Sequence, residues 1–317
     1  MTPAAAPVVR SPGRGLRRPR PGDAWFQRGL TGVGLSVVAV TAVLTWQLAV
    51  NSALTWKQFG WSFLWSSTWD PVREVYGALP FIYGTAVSSG LALLLAVPIG
   101  VGCAIFLVEL APKRVAEICA FIIELLAAVP SVILGLMGIF VLVPVVRAVE
   151  PGLTAGLGWL PLFQGEPYGV GMLTAGLILS LMVLPYITVI SREVLLAVPR
   201  SLKEAMLALG ATRWETVMKV SLPYARPGIA GAVFLALGRA LGETMAVTMV
   251  IGNTPQIKAS LLAPGYSMAS VIANELAEAS SDEHLHSLIA IGLVLLGISL
   301  VVNAAARAMI GLLERRA

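Results

Sequence analysis

Long apolar stretches alternate with short polar segments along the whole chain. Six of these stretches are close to the roughly 20 residues that a helix needs to cross a bilayer core: residues 30–50, 80–108, 121–146, 170–190, 228–251 and 288–310. Prolines interrupt the third and fourth stretches at Pro130, Pro144 and Pro185. Such breaks are tolerated in lipid where neighbouring helices satisfy the freed backbone groups. The pattern therefore predicts an all-α polytopic membrane protein with six packed transmembrane helices.

The composition excludes a soluble globular protein. Of 317 residues, 57% are hydrophobic and 12% are charged, whereas about 25% of residues are charged in soluble domains. The net charge of +5 comes from basic residues that flank the apolar stretches, so it does not indicate a nucleic-acid partner. Cys103 and Cys119 have neither CxxC spacing nor a disulfide framework around them, and we interpret them as packing residues.

The basic residues also predict the orientation in the membrane. They are concentrated in the N-terminal tail, in the loops 2/3 and 4/5 and at the C-terminus, whereas the opposite side carries Lys57, Arg73 and Lys258. By the positive-inside rule both termini are cytoplasmic. The segments that face outward are then 51–79, 147–169 and 252–287.

Domain boundaries follow from the same pattern. Residues 1–29 form a basic, proline-rich cytoplasmic tail that we expect to be disordered. A cleaved signal peptide is the alternative, but the apolar stretch that follows is too long for one. Residues 30–79 hold the first helix and a Trp-rich segment expected at the outer leaflet as an aromatic belt. Residues 80–311 hold the other five helices, and residues 312–317 form a second cytoplasmic tail.

The longest cytoplasmic loop, residues 198–228, has its own helical signals. Ser201 and Glu204 have the spacing of a capping box, and an apolar stripe follows them. Gly210 stands where a left-handed helix cap is expected, and Thr212 with Glu215 predicts a second capping box. We expect Leu222-Pro223 to end this second helix. Two short helices below the membrane would present an apolar ridge to a groove on another protein; the alternative is an ordinary surface loop.

This loop resembles the EAA loop of ATP-binding-cassette (ABC) importer permeases. The matching residues are Glu204, Ala205, Gly210, Leu222 and Pro223, while Met206 replaces the third alanine of the motif. The resemblance implies a type I ABC importer permease fold over residues 80–311. It also implies that residues 199–223 form the cytoplasmic coupling helix, which docks into an ATPase subunit.

The fifth apolar stretch contains two charges, Arg239 and Glu243. In a helix from 228 to 251, Arg239 lies roughly 16 Å from the start, near the middle of a core about 30 Å thick. A charge there costs about 2.5 to 3.5 kcal/mol, so it should face the bundle interior or a wet cavity. The two residues could merely neutralise each other across one helical turn. However, arginine has donors left after one carboxylate is paired, which favours an anion path. Glu124, at the start of the third stretch, is a further candidate for that path; a buried pair or an interfacial cap is the alternative for this residue.

Several segments resemble PstC-type phosphate-transport permeases. They are Gly238–Asn253, LLAAVPSVILGLMG in the third stretch, FLWSSTWDP in the first outer loop and YGALPFIYGT before the second stretch. The resemblance implies location in the bacterial inner membrane, pairing with a second, homologous permease, two ATP-binding cassette ATPase subunits below and an extracytoplasmic phosphate-binding protein above. Arg239 and Glu243 match the charged intramembrane pair of that family.

The chain has no Gly-x-x-x-x-Gly-Lys sequence, and none of its lysines follows a glycine. We therefore expect a non-catalytic subunit that binds no cofactor, with ATP and Mg²⁺ used by the partner ATPase. His284 and His286 lie in an acidic loop, and we assign no metal site. The alternatives are a permease for sulfate or molybdate, a secondary anion transporter, or a membrane scaffold that transports nothing.

Overall fold

The computed structural model describes residues 21–314, and the side chains of residues 25–312. This part of the chain is mostly helical and contains no strand. The α-helices are α1 (Pro21–Asn51), α2 (Ala53–Phe59), α3 (Ser62–Trp65), α4 (Leu79–Ile105), α5 (Lys113–Ala127), α6 (Ser131–Met137), α7 (Val143–Leu157), α8 (Met172–Leu196), α9 (Arg200–Ala208), α10 (Arg213–Thr216), α11 (Leu222–Leu241), α12 (Met245–Thr248), α13 (Met268–Glu275) and α14 (Asp282–Glu314).

Six helical segments of the described chain are long and apolar enough to span a membrane. They are Trp25–Asn51, Leu79–Leu110, Ser131–Leu157, Met172–Leu196, Arg213–Leu241 and Asp282–Leu312. Three of them contain one π-helical turn, at Phe106–Leu110, Gly138–Leu142 and Val217–Ser221. The predicted fold class and the number of spans are confirmed, but the bounds of the third and fifth spans differ from the prediction.

The third span starts later than the apolar pattern predicts. Residues 113–127 form the separate helix α5, and the membrane span begins at Ser131, after Pro130. Proline has no N–H to donate and disfavours helical geometry in the residue before it, so the helix stops ahead of Pro130. The predicted stretch 121–146 therefore covers the end of α5 and the first part of the third span, with a break between them.

The fifth span ends earlier than predicted. Helix α11 stops at Leu241, and the chain continues through the short helix α12 into a non-helical segment. Val250 and Ile251 are fully buried although they are not helical. The backbone groups of this segment bond to the start of α8: Gly171 N donates to Val250 O (3.0 Å), and Leu173 N donates to Leu261 O (2.7 Å). The sequence is thus apolar up to residue 251 because this segment is buried inside the bundle. Irregular backbone is tolerated there once its N–H and C=O groups are hydrogen-bonded.

Helix α8 is the centre of the bundle. It has the largest buried share of the six spans, and it packs against α4 and α11. Small side chains at the contact, Ala96, Ala236 and Ala240, surround Val183 and Ile187 of α8. Small residues let membrane helices approach closely, which compensates for the absence of a hydrophobic driving force in lipid.

The Trp-rich segment is only partly the surface belt that the sequence predicts. Trp61 and Trp65 are exposed, but Trp69 is buried and its Nε1 donates to Glu275 Oε2 (3.0 Å). The same carboxylate oxygen lies 3.0 Å from His284 Nε2, and His284 stacks on Tyr76. Burial raises the pKa of the Tyr76 hydroxyl. This packing joins the Trp-rich segment to the compact unit that begins at Leu48.

The predicted tails are shorter in the structure. Helix α1 begins at Pro21, inside the segment assigned to a disordered tail, and residues 1–20 of that prediction lie outside the described residues. Helix α14 continues to Glu314, so only residues 315–317 of the predicted C-terminal tail lie outside the described part.

One close backbone contact provides a test of this packing. A methyl group at Gly84 of α4 would overlap the carbonyl oxygen of Tyr266, whereas one at Gly90 of the same helix would meet open space. We expect Gly84→Ala to destabilise the purified protein by about 1 to 3 kcal/mol. Gly90→Ala should be neutral or slightly stabilising, because alanine favours a helix over glycine by about 0.5 to 1 kcal/mol. Thermal unfolding in detergent measures both, and equal melting temperatures for the two variants would contradict the contact.

Candidate functional site

Arg239 lies in the last turn of α11 and contacts the middle of α8. Its guanidinium carbon is 4.7 Å from the ring centroid of Tyr186. Tyr186 is about 21 Å along the helix axis from Met172, where α8 begins, and about 15 Å from Leu196, where it ends. Arg239 therefore lies at the level of the middle of α8, although α11 ends only two residues after it.

The guanidinium of Arg239 is only partly used by the protein. Its Nε is buried and has no hydrogen-bond partner among the described residues, and the cation–π contact with Tyr186 uses the face of the group, not its N–H donors. The C-terminal end of α11 also stabilises a positive charge there, by about 0.3 to 1 kcal/mol. The arrangement holds a cation beside the middle of α8, with its Nε unpaired among the described residues.

Glu243 is not the ionic partner of Arg239. No ion pair joins these two side chains in the described part of the chain. The spacing predicts that they share one helical face, but α11 ends between them at Leu241. Glu243 Oε1 instead accepts a long hydrogen bond from Ala246 N (3.4 Å) in the first turn of α12. Mutual neutralisation within one helix is thus excluded by the break in the helix.

Arg239 borders an open face of α11. Leu235 and Gly242 are exposed, and a methyl group at Gly238 would meet nothing within 4 Å. These three positions are spaced three and four residues apart, so they share one side of the helix. A charge beside acyl chains at this depth is costly. The open face beside Arg239 is therefore a candidate for contact with another polypeptide or with water.

Glu124 lies apart from this arrangement. It is exposed on α5, the helix that precedes the third span, and it makes no ion pair with a described residue. Its neighbours on α5 form an apolar patch with the end of α4. The structure does not bring Glu124 to Arg239, and its part in an anion path stays a prediction.

A second candidate surface lies on the segment between the fourth and fifth spans. We call α9, α10 and the residues between them, 200–216, the ridge. Helix α9 has no buried residue, and two large apolar side chains of the ridge are strongly exposed, Leu209 at 84% and Trp214 at 61%. Glu204 and Ala205 are exposed as well. An exposed apolar surface of this kind is a candidate for contact with another protein.

The local signals of the ridge are confirmed in part. Gly210 has a φ of +86°, the left-handed conformation predicted for it. Thr212 and Glu215 form the second predicted capping box, with Thr212 Oγ1 accepting from Glu215 N and Glu215 Oε2 accepting from Thr212 N. The first predicted capping box is wrong, because α9 begins at Arg200 and Ser201 makes no capping bond.

Leu222-Pro223 does not end a helix. The chain remains helical from Arg213 to Leu241, and Leu222 N bonds to Val217 O in the π turn just before Pro223. Proline normally breaks a helix because it lacks a donor and crowds the preceding turn. A wider π turn relieves that crowding, so the ridge passes directly into the fifth span.

Two residues of the site are absent from the sequence-based prediction. Tyr186 is the aromatic partner of Arg239, and Glu109 bonds to Lys203 behind the ridge. The sequence could have indicated Glu109, because it is a charged residue at the end of an apolar stretch. Tyr186 carries none, since an aromatic residue in a membrane helix is ordinary.

Comparison with known proteins places this geometry in a family context. Residues 96–317 match the family model described as "Binding-protein-dependent transport system inner membrane component". The chain is 43% identical over 318 residues to the phosphate transport system permease protein PstC of Mesorhizobium japonicum, covering 98% of this chain and 97% of that protein. It is 46% identical over 282 residues to PstC of Pasteurella multocida, covering 87% and 88%.

Solved structures show the same fold at low identity. A chain in the crystal structure of a bacterial ABC transporter involved in the import of the acidic polysaccharide alginate superimposes with a TM-score of 0.58. The identity is 18%, and the match covers 90% of this chain and 98% of that chain. At this identity the likeness concerns the fold alone.

The capping box of the ridge can be tested directly. Replacing an N-cap threonine by alanine costs about 0.5 to 2 kcal/mol, so Thr212→Ala should speed amide hydrogen exchange over residues 213–217 by about 2- to 30-fold. Thr212→Ser retains the hydroxyl and should exchange like the natural protein. Natural exchange rates in both variants would show that the box does not hold the ridge.

Proposed function

Because the chain belongs to the binding-protein-dependent transport system inner membrane components, and among them to the PstC-type permeases, we propose that it is the transmembrane permease subunit of an ATP-driven inorganic phosphate importer. It forms half of the translocation path by alternating access. The observation that carries this proposal is the identity of 43% to a phosphate permease over 98% of the chain, together with a cation held at mid-membrane.

Arg239 is the anion-binding residue of the proposed path. A phosphate ion is tetrahedral and offers several acceptor oxygens, which the planar fork of arginine can bind in pairs. Tyr186 occupies one face of the guanidinium, so the N–H edge is the part that meets the anion. Glu243 lies at the helix break next to this level and is proposed to line the same path.

The second half of the path comes from another permease. The face of α11 with Leu235, Gly238 and Gly242 is open in this chain and borders Arg239. A second, homologous permease packed against this face would cover the charge and close the path around the anion.

The ridge is the proposed contact with the ATPase subunits. Residues 199–223, with Glu204, Ala205, Gly210, Leu222 and Pro223, dock into a groove of an ATP-binding cassette subunit and move with it. ATP and Mg²⁺ bind to those subunits, and this chain supplies no catalytic residue. Since the ridge passes without a break into the span that carries Arg239, its motion reaches the anion site through one continuous helix.

The chain is a multi-pass inner-membrane protein and a subunit of a transporter complex. In the proposed orientation both termini lie in the cytoplasm, which is supported by the distribution of basic residues under the positive-inside rule. The segments 51–79, 147–169 and 252–287 then face an extracytoplasmic phosphate-binding protein. Loaded binding protein and ATP influence each other through the bundle state that both prefer.

The alternatives are less well supported. The relatives that match over nearly the whole chain are named for phosphate, which does not favour sulfate or molybdate. A secondary anion transporter would also use a mid-membrane arginine, but an exposed apolar ridge on the cytoplasmic side gives it no advantage. A scaffold without transport activity leaves Arg239 without a role.

The proposal predicts that uptake depends on Arg239. Charge-assisted hydrogen bonds contribute about 1.5 to 3 kcal/mol each, so Arg239→Gln should reduce ATP-driven phosphate uptake into proteoliposomes by at least about 10-fold. Arg239→Lys should retain part of the activity, because it keeps the charge and loses the fork. Arg192→Gln, at the cytoplasmic end of α8, is the control, and co-purification of all subunits verifies assembly. Uptake at the natural rate by assembled Arg239→Gln would refute the proposed role.

Tyr186 gives a second prediction for the same site. A cation–π contact contributes about 0.5 to 2 kcal/mol, so Tyr186→Leu should raise the phosphate-loaded binding-protein concentration for half-maximal uptake, or lower the maximal rate, by about 2- to 30-fold in total. Tyr186→Phe retains the ring face and should behave like the natural protein. An equal loss in the Phe and Leu variants would assign the effect to the hydroxyl and contradict a role for the ring.

A further inference from the structure

One carboxylate oxygen connects the ridge to two membrane helices. Glu109 Oε1 accepts a bond from Lys203 Nζ at 2.7 Å and a second from Ser221 Oγ at 2.9 Å. Lys203 belongs to α9 of the ridge, Glu109 to the π turn that ends the second span, and Ser221 to the π turn before α11. The three residues therefore join segments that are far apart in the sequence.

The junction is shielded from solvent. The side chains of Lys203 and Glu109 are 19% and 15% exposed, and Ser221 is fully buried. Water and salt weaken such a partly buried pair less than an exposed one. Displacing Lys203 would leave the Glu109 charge without its cation, so the three groups are held to move together.

The other ion pairs of the cytoplasmic side have a different character. Arg192 pairs with its neighbour Glu193, which is largely exposed, and Lys219 pairs with Glu215 one turn away at 3.9 Å with both side chains exposed. Both are local pairs within one helical segment. In the described chain, Lys203–Glu109 alone joins the ridge to another span by an ion pair.

We propose that Glu109 is a positioning residue that transmits the movement of the ridge to α4. The inference rests on the proposed function of the ridge. The ridge already continues into α11, and through Glu109 it also acts on α4, which packs against α8 as α11 does. Movement of the ATPase subunits thereby reaches both sides of the bundle around Arg239 at once. Without the junction, α11 would move alone and ATP hydrolysis would lose its link to transport.

The test uses the full complex in proteoliposomes with phosphate-loaded binding protein, and it measures phosphate uptake and ATP hydrolysis in the same samples. Glu109→Gln should lower the phosphate transported per ATP at least 3-fold, while hydrolysis continues. Glu193→Gln, which removes a paired carboxylate on the same side, should keep the natural ratio. A natural ratio in Glu109→Gln, or an equal fall of uptake and hydrolysis, would overturn the proposal.

Exchanging the charges of Glu109 and Lys203 tests whether the ion pair itself is required, or only the native residue at each position. The double variant Glu109→Lys with Lys203→Glu restores the attraction, so it should recover most of the ratio that each single exchange loses. The double variant also tests the role of the pair if the Glu109→Gln complex fails to assemble. A double variant no better than the single ones would overturn the proposal.

A distance measurement tests the junction of Glu109 and Lys203 independently of phosphate transport. Spin labels at Ser201 in the ridge and Leu94 on the exposed side of α4, with Cys103 and Cys119 replaced by serine, report how firmly the two segments are joined. Glu109→Gln should broaden the distance distribution in the complex, and Glu193→Gln should not. An unchanged distribution would overturn the junction, whereas absence of phosphate uptake by the natural complex would overturn the proposed function alone.

Discussion

The structure is organised around a positive charge that has to be held in the middle of a membrane. An arginine at this depth is costly unless protein, water or an anion surrounds it. The end of α11 supplies the negative end of a helix dipole, and Tyr186 supplies the face of an aromatic ring. Neither group neutralises the charge, so the site keeps an attraction for an anion. A carboxylate in ion-pair contact would have removed that attraction, and Glu243 is turned to α12 instead.

The break after Leu241 has a second consequence for the bundle. The chain that follows α12 is not helical, yet it is buried and bonded to the start of α8. It fills the part of the bundle beyond Arg239 that a continuous helix would have crossed. Gly84 is required here because the carbonyl of Tyr266 approaches α4 too closely for any side chain. The proposed anion site thus lies where a regular helix meets irregular, internally satisfied backbone, an arrangement that membrane proteins tolerate only inside packed protein.

The sequence predicts local features of this architecture better than long-range ones. Gly210 and the capping box of Thr212 depend on neighbouring residues, and both are confirmed. The number of spans follows from hydrophobicity and is confirmed as well. The end of α11 is not predictable in this way, because a buried irregular segment is as apolar as a lipid-facing helix. The burial of Trp69 is unpredictable for a similar reason. Its partner Glu275 is distant in the sequence, and a Trp-rich segment has the same composition whether it faces lipid or the protein core.

Two contacts between residues from distant segments support functional roles that the family resemblance does not indicate. Arg239 with Tyr186, and Glu109 with Lys203, each join two helices, and a single sequence does not indicate which residues will meet. The Glu109–Lys203 pair lies at the ridge, and the Arg239–Tyr186 pair lies near the far end of the span that continues from the ridge. The ridge continues into α11 through the backbone, and it reaches α4 through the Glu109 carboxylate. Because α4 and α11 both pack against α8, the proposed movement of both helices would change the surroundings of Arg239. The continuous helix alone would tilt the arginine and its helix together, whereas the additional link to α4 makes the walls of the site move relative to the charge.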